Sequence, residues 1–175
     1  MTQPLDPVHT RAPVFSPGSG APGTEVSVET RDLPALTPVY LGMGATRSSF
    51  EVLGQLVTSE LGEMSTVVEV PDWATPDRTH YFVLVDVYFR PLAVSAAFHV
   101  TEPDGTLRRR GAIADGEGGC LTLREAGEGE EIYVLTGDVQ DLTLGDEVLV
   151  EATLGESPGC GQGTALQVTR AERLD

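Results

Sequence analysis

The chain has 175 residues, a length typical of one large domain or two small ones. Apolar residues make up 40% of the chain and charged residues 22%, a composition that supports a packed core and excludes general disorder. A formal charge of −16 argues against a nucleic-acid-binding protein, because every phosphate contact would face a repulsive field. No apolar run is long enough to cross a bilayer, so the sequence predicts no membrane span.

The N-terminal residues 1–11 are predicted to be a flexible segment. Residues 1–23 contain five prolines and no apolar h-region, so they are not predicted to be a signal peptide. After residue 11, apolar residues alternate with polar ones, and Gly and Pro interrupt the pattern every 8–12 residues. This pattern is typical of an all-β protein. The predicted strands of the first half cover residues 13–16, 25–29, 38–43, 50–58, 64–70, 81–89 and 92–100.

The most apolar stretch, residues 81–100, is predicted to form a hairpin of two long strands with Pro91 at its turn. A transmembrane helix is the competing interpretation. Asp86 and Arg90 argue against that helix, because charges near the centre of a membrane helix are costly.

The segment TEPDGT at residues 101–106 contains a Pro-Asp-Gly turn signal, and we place a domain boundary there. Five further strands are predicted at residues 107–114, 121–125, 131–135, 147–154 and 165–170. Five strands in about 65 residues fit a small barrel of the OB kind. The acidic loops between them are interpreted as solvated surface rather than as calcium sites, because the spacing of an EF-hand loop is lacking.

Two segments resemble known families. FSPGSGAPGTEVSV at residues 15–28 resembles the opening of bacterial immunoglobulin-like domains of the IPT/TIG type, and the resemblance extends over residues 12–101. In the second half, the pieces YVLTGD at 133–138, GDEVLV at 145–150 and CGQGT at 160–164, together with Cys120, resemble a small uncharacterised bacterial family of OB-like domains with two cysteines (DUF5818-like). This second resemblance implies an OB-like barrel and export, and no known reaction.

The predicted fold class is therefore all-β, with an Ig-like β-sandwich followed by a small five-stranded OB-like barrel. The predicted domains are the sandwich at residues 12–101, a linker at 102–106 and a barrel at 107–173.

Cys120 and Cys160 are the only cysteines of the chain. A disulfide between them is the favoured interpretation, because the three histidines all lie in the other half and the surroundings are acidic and glycine-rich. Free thiols, a metal pair or a thiol nucleophile remain alternatives. A disulfide would staple a barrel too small to bury a large core, and it would indicate an oxidising compartment.

Aromatic side chains are concentrated in the predicted hairpin, with Trp73 expected over one end of the core. Counting positions through the hairpin puts Phe82 and Tyr88 on one face, and Tyr81 and Phe89 on the other. Aromatics on both faces indicate either that both faces are buried within the protein or that one face meets the second domain or another protein chain. The candidate interface residues are Trp73, Tyr81, Phe82, Tyr88, Phe89 and Phe98.

From these observations we expect a non-enzymatic interaction or structural module, an accessory or assembly subunit of a complex at the cell surface or in the periplasm. The alternative is a carbohydrate- or small-ligand-binding module. We expect a protein partner or self-association, no nucleic acid, no catalytic residue, and neither a cofactor nor a metal. The expected location is extracellular, at the cell surface or periplasmic.

Overall fold

The computed structural model describes residues 12–45, 50–125, 131–155 and 163–174. Contacts divide the chain into two units. The first contains the described residues up to Ala74 together with Thr79–Val100, and the second contains Thr75–Arg78 and the described residues from Thr101 onward. The sequence predicted two contiguous domains, and it gave no sign that Thr75–Arg78 would group with the second unit.

The described residues form thirteen strands and one short 3-10 turn, Glu117–Gly119. The strands of the first unit are β1 (Val14–Ser16), β2 (Ser19–Gly20), β3 (Glu25–Thr30), β4 (Pro38–Ala45), β5 (Phe50–Val57), β6 (Met64–Glu69), β7 (Thr79–Asp86) and β8 (Pro91–Val100). Those of the second unit are β9 (Thr106–Asp115), β10 (Leu121–Glu125), β11 (Ile132–Gly137), β12 (Glu147–Leu154) and β13 (Thr164–Arg173).

The first unit is a sandwich of two sheets. One sheet has three strands in the order β1-β3-β6, and the other has five in the order β2-β8-β7-β4-β5. Alternation along the strands places Val26 and Val28 of one sheet and Leu41, Met43 and Phe82 of the other in a shared core, where all five are fully buried. Three phenylalanines pack in this core with ring centroids 5.3–5.6 Å apart: Phe15, Phe82 and Phe98.

The second unit is a closed five-stranded barrel in the order β10-β11-β13-β12-β9. All neighbouring strands are antiparallel except β11 and β13, which pair in parallel from Tyr133 with Thr164 to Gly137 with Val168. When the strands β9 to β13 are numbered one to five along the chain, their order around the barrel is 1-2-3-5-4 and back to 1. This is the strand order of an OB-like barrel. The predicted fold class, an all-β sandwich followed by a small barrel, is confirmed.

The predicted hairpin differs from the structure at its turn. The first strand, β7, ends at Asp86 rather than at residue 89, and Pro91 opens β8 instead of lying in the turn. The reason is local: Asp86 hydrogen-bonds the turn, and Phe89 adopts a left-handed backbone conformation with φ of 60°. The prediction that Phe82 and Tyr88 share one face, which counts two by two through residue 88, is therefore wrong.

Candidate interaction surface

A tight turn between β7 and β8, residues 87–90, carries the most exposed aromatic side chains of the described chain. We call it the aromatic turn. The Asp86 carboxylate accepts hydrogen bonds at 2.9 Å from the backbone N–H groups of Tyr88 and of Arg90. Its second oxygen accepts one from Arg90 Nε at 2.8 Å. The side chain of one aspartate thus fixes the whole turn.

Phe89 occupies the strained position of this turn. A φ of 60° is unusual for a bulky residue and is retained only where neighbouring interactions fix it. Here the N–H of Phe89 donates to the carbonyl of Asp86 at 2.9 Å, and the N–H of Asp86 donates to the carbonyl of Arg90 at 3.0 Å. The backbone is held so that the Phe89 ring turns back over the sheet.

The Phe89 ring joins an aromatic group that includes residues from two other strands. It stacks on Tyr40 of β4 with centroids 5.5 Å apart and planes 11° apart, and it lies 6.3 Å from Phe50 of β5. The Arg90 guanidinium lies over the Tyr88 ring at 5.2 Å. Despite these contacts, Phe89 is 57% exposed and Tyr88 75% exposed.

The sheet surface beside the turn is uncharged. Three ladders of paired residues cross the outer face of the five-stranded sheet, on the side opposite the core. We call these residues the outer face; they are Phe50, Gly44, Tyr81 and Ala97 in one ladder, Val52, Gly42, Val83 and Val94 in the next, and Gln55, Tyr40, Val85 and Pro91 in the third. On this face Val52 and Val94 are 39% and 43% exposed, whereas Val85 is buried. In a chain with a net charge of −16, a sheet face with exposed apolar residues and no charged side chain is typical of a contact surface.

The two glycines of β4 leave room for an aromatic ring on this face. A Cβ atom at Gly42 would lie 2.7 Å from the Phe50 ring, and one at Gly44 would lie 3.1 Å from the Phe50 Cβ. Phe50 can therefore lie across β4 only because both positions lack a side chain.

The structure brings together only some of the predicted interface residues. Tyr88 and Phe89 lie in the aromatic turn, and Tyr81 is half-buried on the outer face. Trp73 is 41% exposed, and its ring lies 6.0 Å from that of His80. The inclusion of Phe82 and Phe98 is wrong: both are fully buried in the sandwich core, so neither can reach a partner.

Tyr40 and Phe50 were missed by the sequence analysis. The alternation in β4 could have shown Tyr40, which lies between the buried Val39 and Leu41 and so must face outward. Its stacking with Phe89 could not have been predicted, because that contact depends on the left-handed conformation at the turn.

Cys120 lies just after the 3-10 turn, where its carbonyl accepts a hydrogen bond from the N–H of Gly116 at 2.9 Å. Cys160 lies outside the described residues. The described part of the chain contains no free cysteine. The disulfide between Cys120 and Cys160 remains a prediction.

Thiol titration checks this disulfide. We expect the unreduced, denatured protein to show no reactive thiol and the reduced protein to show two, because the chain has only two cysteines. Loss of the bond in a Cys120→Ser, Cys160→Ser variant should lower the stability of the barrel by about 4 kcal/mol, given a closed loop of about 40 residues. Two reactive thiols before reduction would contradict the prediction.

The pKa of Asp86 provides a test of the aromatic turn. Partial burial of the carboxyl raises its pKa, but the backbone hydrogen bonds from Arg90 and Tyr88 and the Arg90 guanidinium together lower it below the ordinary value of 3.8. The folded pKa is depressed, so the contribution of Asp86 is fully present above the ordinary value and is lost as the pH falls through the lower, folded pKa.

We therefore expect the amide proton shifts of Tyr88 and Arg90 to titrate together in NMR spectra, with a midpoint below 3.8. The variant Asp86→Asn should lack this step. A midpoint at or above 3.8 would show that the carboxylate does not hold the turn in solution.

The described residues contain no group of three or more His, Cys, Asp or Glu side chains placed to hold a metal ion, and none of their helices is long and apolar enough to span a membrane. A groove of about 530 Å³ lies beside β1 and β6, lined by Val14, Glu29, Arg31, Glu63 and Ser65 among others. Within this lining the Ser65 hydroxyl donates a hydrogen bond to the Glu29 carboxylate at 3.5 Å.

Comparisons with known proteins add little. No family model matches the chain, and no curated protein matches it, so the resemblances to IPT/TIG-type domains and to the DUF5818-like family remain predictions. Among solved structures, macromomycin aligns at 12% identity with a TM-score of 0.42, over 51% of this chain and 98% of its own. A likeness of this size does not establish a shared function.

Proposed function

We propose that this chain is a non-enzymatic interaction module that binds a protein partner, or a second copy of itself, through the aromatic turn and the outer face. The observation that carries the proposal is the exposure of Tyr88 and Phe89 on a turn whose backbone is fixed in a strained conformation. Strain of this kind costs stability, and a role in binding would explain its retention.

The composition of the surface also supports a protein partner. Aromatic residues and arginine are enriched at protein interfaces, and interface cores are depleted in charge. The aromatic turn contains such aromatic residues and an arginine, namely Tyr88, Phe89 and Arg90. The outer face has no charged side chain, as is typical of an interface core. The net charge of −16 of the chain would oppose nucleic acid as the partner.

We further propose that the module works outside the cytoplasm, as an accessory or assembly subunit at the cell surface, in the periplasm or in the medium. This part rests on the predicted disulfide, since structural disulfides persist in oxidising compartments.

The experiment tests whether partner binding needs the ring of Phe89 itself or only the conformation of the turn. Glycine adopts a positive φ without strain, so Phe89→Gly should keep the turn while it removes the ring. The matched control is Val67→Ser, because Val67 is 59% exposed on β6 of the other sheet. Tagged wild-type, variant and control chains are produced in the source organism, and the proteins that co-purify are compared.

We expect a stoichiometric partner, or a second untagged copy, with wild type and Val67→Ser, and at least a tenfold loss with Phe89→Gly. Retention of the partner by Phe89→Gly would overturn the assignment of the surface.

The alternative function is a carbohydrate- or small-ligand-binding module on the same surface. The stacked rings of Tyr40 and Phe89 favour it, because exposed aromatic faces suit apolar ring faces of a ligand. Titration of wild type with a panel of oligosaccharides, followed by the NMR shifts of the Tyr40 and Phe89 rings, tests it. Saturable shifts of the Tyr40 ring that are absent in Phe89→Gly would support the alternative over a protein partner.

A further inference from the structure

The connection between β6 and β7 contains a segment, Thr75–Arg78, that lies in sequence between two strands of the sandwich but belongs to the barrel unit. Within that unit it contacts β9. The N–H of Arg108 donates to the carbonyl of Pro76 at 3.0 Å, and Arg109 Nη1 donates to the same carbonyl at 2.7 Å. One carbonyl oxygen thus accepts two hydrogen bonds from adjacent residues of a barrel strand.

Arg108 and Arg109 lie in the part of β9 that pairs, among the described strands, with β12 only. Among the described strands, β12 pairs with β9 from Thr106 to Ala112, but β10 pairs with it only over Gly111–Asp115. Among the described residues, the first half of β9 therefore has no strand neighbour on the β10 side. The bond from Arg108 to Pro76 lies in this gap, so Thr75–Arg78 covers a strand edge that β10 leaves open.

Arg109 anchors the segment from inside the barrel unit. Its side chain is 1% exposed, the largest of the fully buried side chains. Besides Pro76, its guanidinium donates from Nη1 to the carbonyl of Arg108 at 2.7 Å and from Nε to the Tyr133 hydroxyl at 2.9 Å. The ring of Tyr133 lies beneath it, 5.7 Å from the guanidinium carbon. Its Nη2 atom is buried without a hydrogen-bond partner among the described residues, so Nε and Nη1 alone hold the guanidinium in place.

Arg108 adds an outer attachment. Its Nε pairs with Asp77 at 2.6 Å and its Nη2 with Glu102 at 3.0 Å. These carboxylates raise the pKa of the Arg108 guanidinium. The pair with Asp77 ties the segment to β9 a second time, although it is partly exposed and therefore weaker than the Arg109 anchor.

We propose that Thr75–Arg78 is a strap that closes the open edge of β9, with Arg109 as its buried anchor and the Asp77–Arg108 pair as its outer attachment. When the strap is in place, the Arg108 amide is protected and β9 cannot pair with a strand from another molecule. When it is released, this edge becomes available, so the strap is a conformational switch for access to the barrel edge.

Two readouts on the full-length chain test the strap. The chain has no lysine, so trypsin cuts only after arginine, and Arg78 is the arginine within the strap. The rate of cleavage after Arg78 measures strap release. Hydrogen exchange at the Arg108 amide measures the loss of its bond to Pro76, and exchange at Leu166, in the buried part of β13, reports opening of the whole barrel.

We expect Arg109→Met to raise both strap readouts about tenfold or more, because methionine fills similar volume but donates no hydrogen bond. Asp77→Asn should raise them two- to fivefold, since the exposed pair contributes less. The matched control is Arg110→Met, at a neighbouring and exposed arginine of the same strand, which should leave both unchanged. In all three variants exchange at Leu166 should remain slow.

If Arg109→Met opens the whole barrel, exchange at Leu166 rises as well, and Asp77→Asn then decides the question. An unchanged rate of cleavage after Arg78 in Asp77→Asn would overturn the proposed strap. So would an Arg110→Met variant that raises the two strap readouts as much as Arg109→Met does.

Discussion

Replacement of Phe82 by alanine is expected to lower the free energy of unfolding of the sandwich by about 4 kcal/mol, as is usual when a buried phenylalanine is truncated. The Phe82 ring is fully buried and contacts two other rings, Phe15 at 5.3 Å and Phe98 at 5.4 Å between centroids. Its removal leaves a cavity that these neighbours cannot fill without loss of their own packing.

The measurement is urea unfolding followed by the fluorescence of Trp73, the only tryptophan of the chain, which belongs to the sandwich unit. The control is Phe89→Gly, which removes an exposed ring and relieves the positive φ, so its stability should change by less than about 1 kcal/mol. Equal losses in the two variants would show that the buried and exposed rings have been assigned wrongly.

Replacement of Gly111 by alanine is expected to destabilise the barrel by about 3 kcal/mol or more, because the added methyl group has no space. A Cβ atom at Gly111 would collide with the carbonyl oxygen of Arg124 and lie 2.7 Å from its carbon and 3.1 Å from the Cα of Glu125. These are backbone atoms of β10, so the strands β9 and β10 would have to separate where they close the barrel.

Amide hydrogen exchange of Leu166 and Val150, two buried residues of the barrel, measures this loss. The control is Gly155→Ala in the same unit, where the nearest atom to a new Cβ is the backbone nitrogen of Gln167 at 3.7 Å, an ordinary contact. Gly155→Ala should change stability by less than about 1 kcal/mol. If Gly111→Ala is equally mild, the close approach of β9 and β10 does not exist in solution.

The strands were predictable from the sequence because local rules govern them. In β3 the buried Val26 and Val28 alternate with exposed residues, and in β12 the buried Val148, Val150 and Ala152 alternate with half-buried ones. Gly- and Pro-rich segments between such runs marked the turns. These two signals indicated an all-β chain with a small five-stranded barrel in its second half, and the sandwich of the first half was implied by the resemblance to IPT/TIG-type domains.

The surface was less predictable because its geometry is decided by one turn. Phe82 and Tyr88 are six residues apart, an even spacing that would place both on one face of a continuous strand. The strand ends at Asp86, whose carboxylate binds the backbone of the turn, and the alternation does not continue past it. Phe82 consequently lies in the core and Tyr88 in solvent.

Arg109 shows a signal that was present in the sequence and not used. Leu107, Arg109, Gly111 and Ile113 alternate along β9, and all four are buried. An arginine in the inward series of a barrel strand predicts a buried guanidinium that needs acceptors. That Pro76, 33 residues earlier, supplies one of them depends on tertiary structure and could not have been read from the local pattern.

Site-specific photo-cross-linking in the source organism tests the proposed interaction surface most directly. A photoreactive phenylalanine derivative is placed at position 88 in the aromatic turn, and in a control chain at position 67 on the opposite sheet. We predict a discrete covalent adduct from position 88, at twice the chain mass for self-association or at another defined mass for a different partner, and none from position 67. Absence of an adduct at position 88, or equal adducts at both positions, would contradict the account.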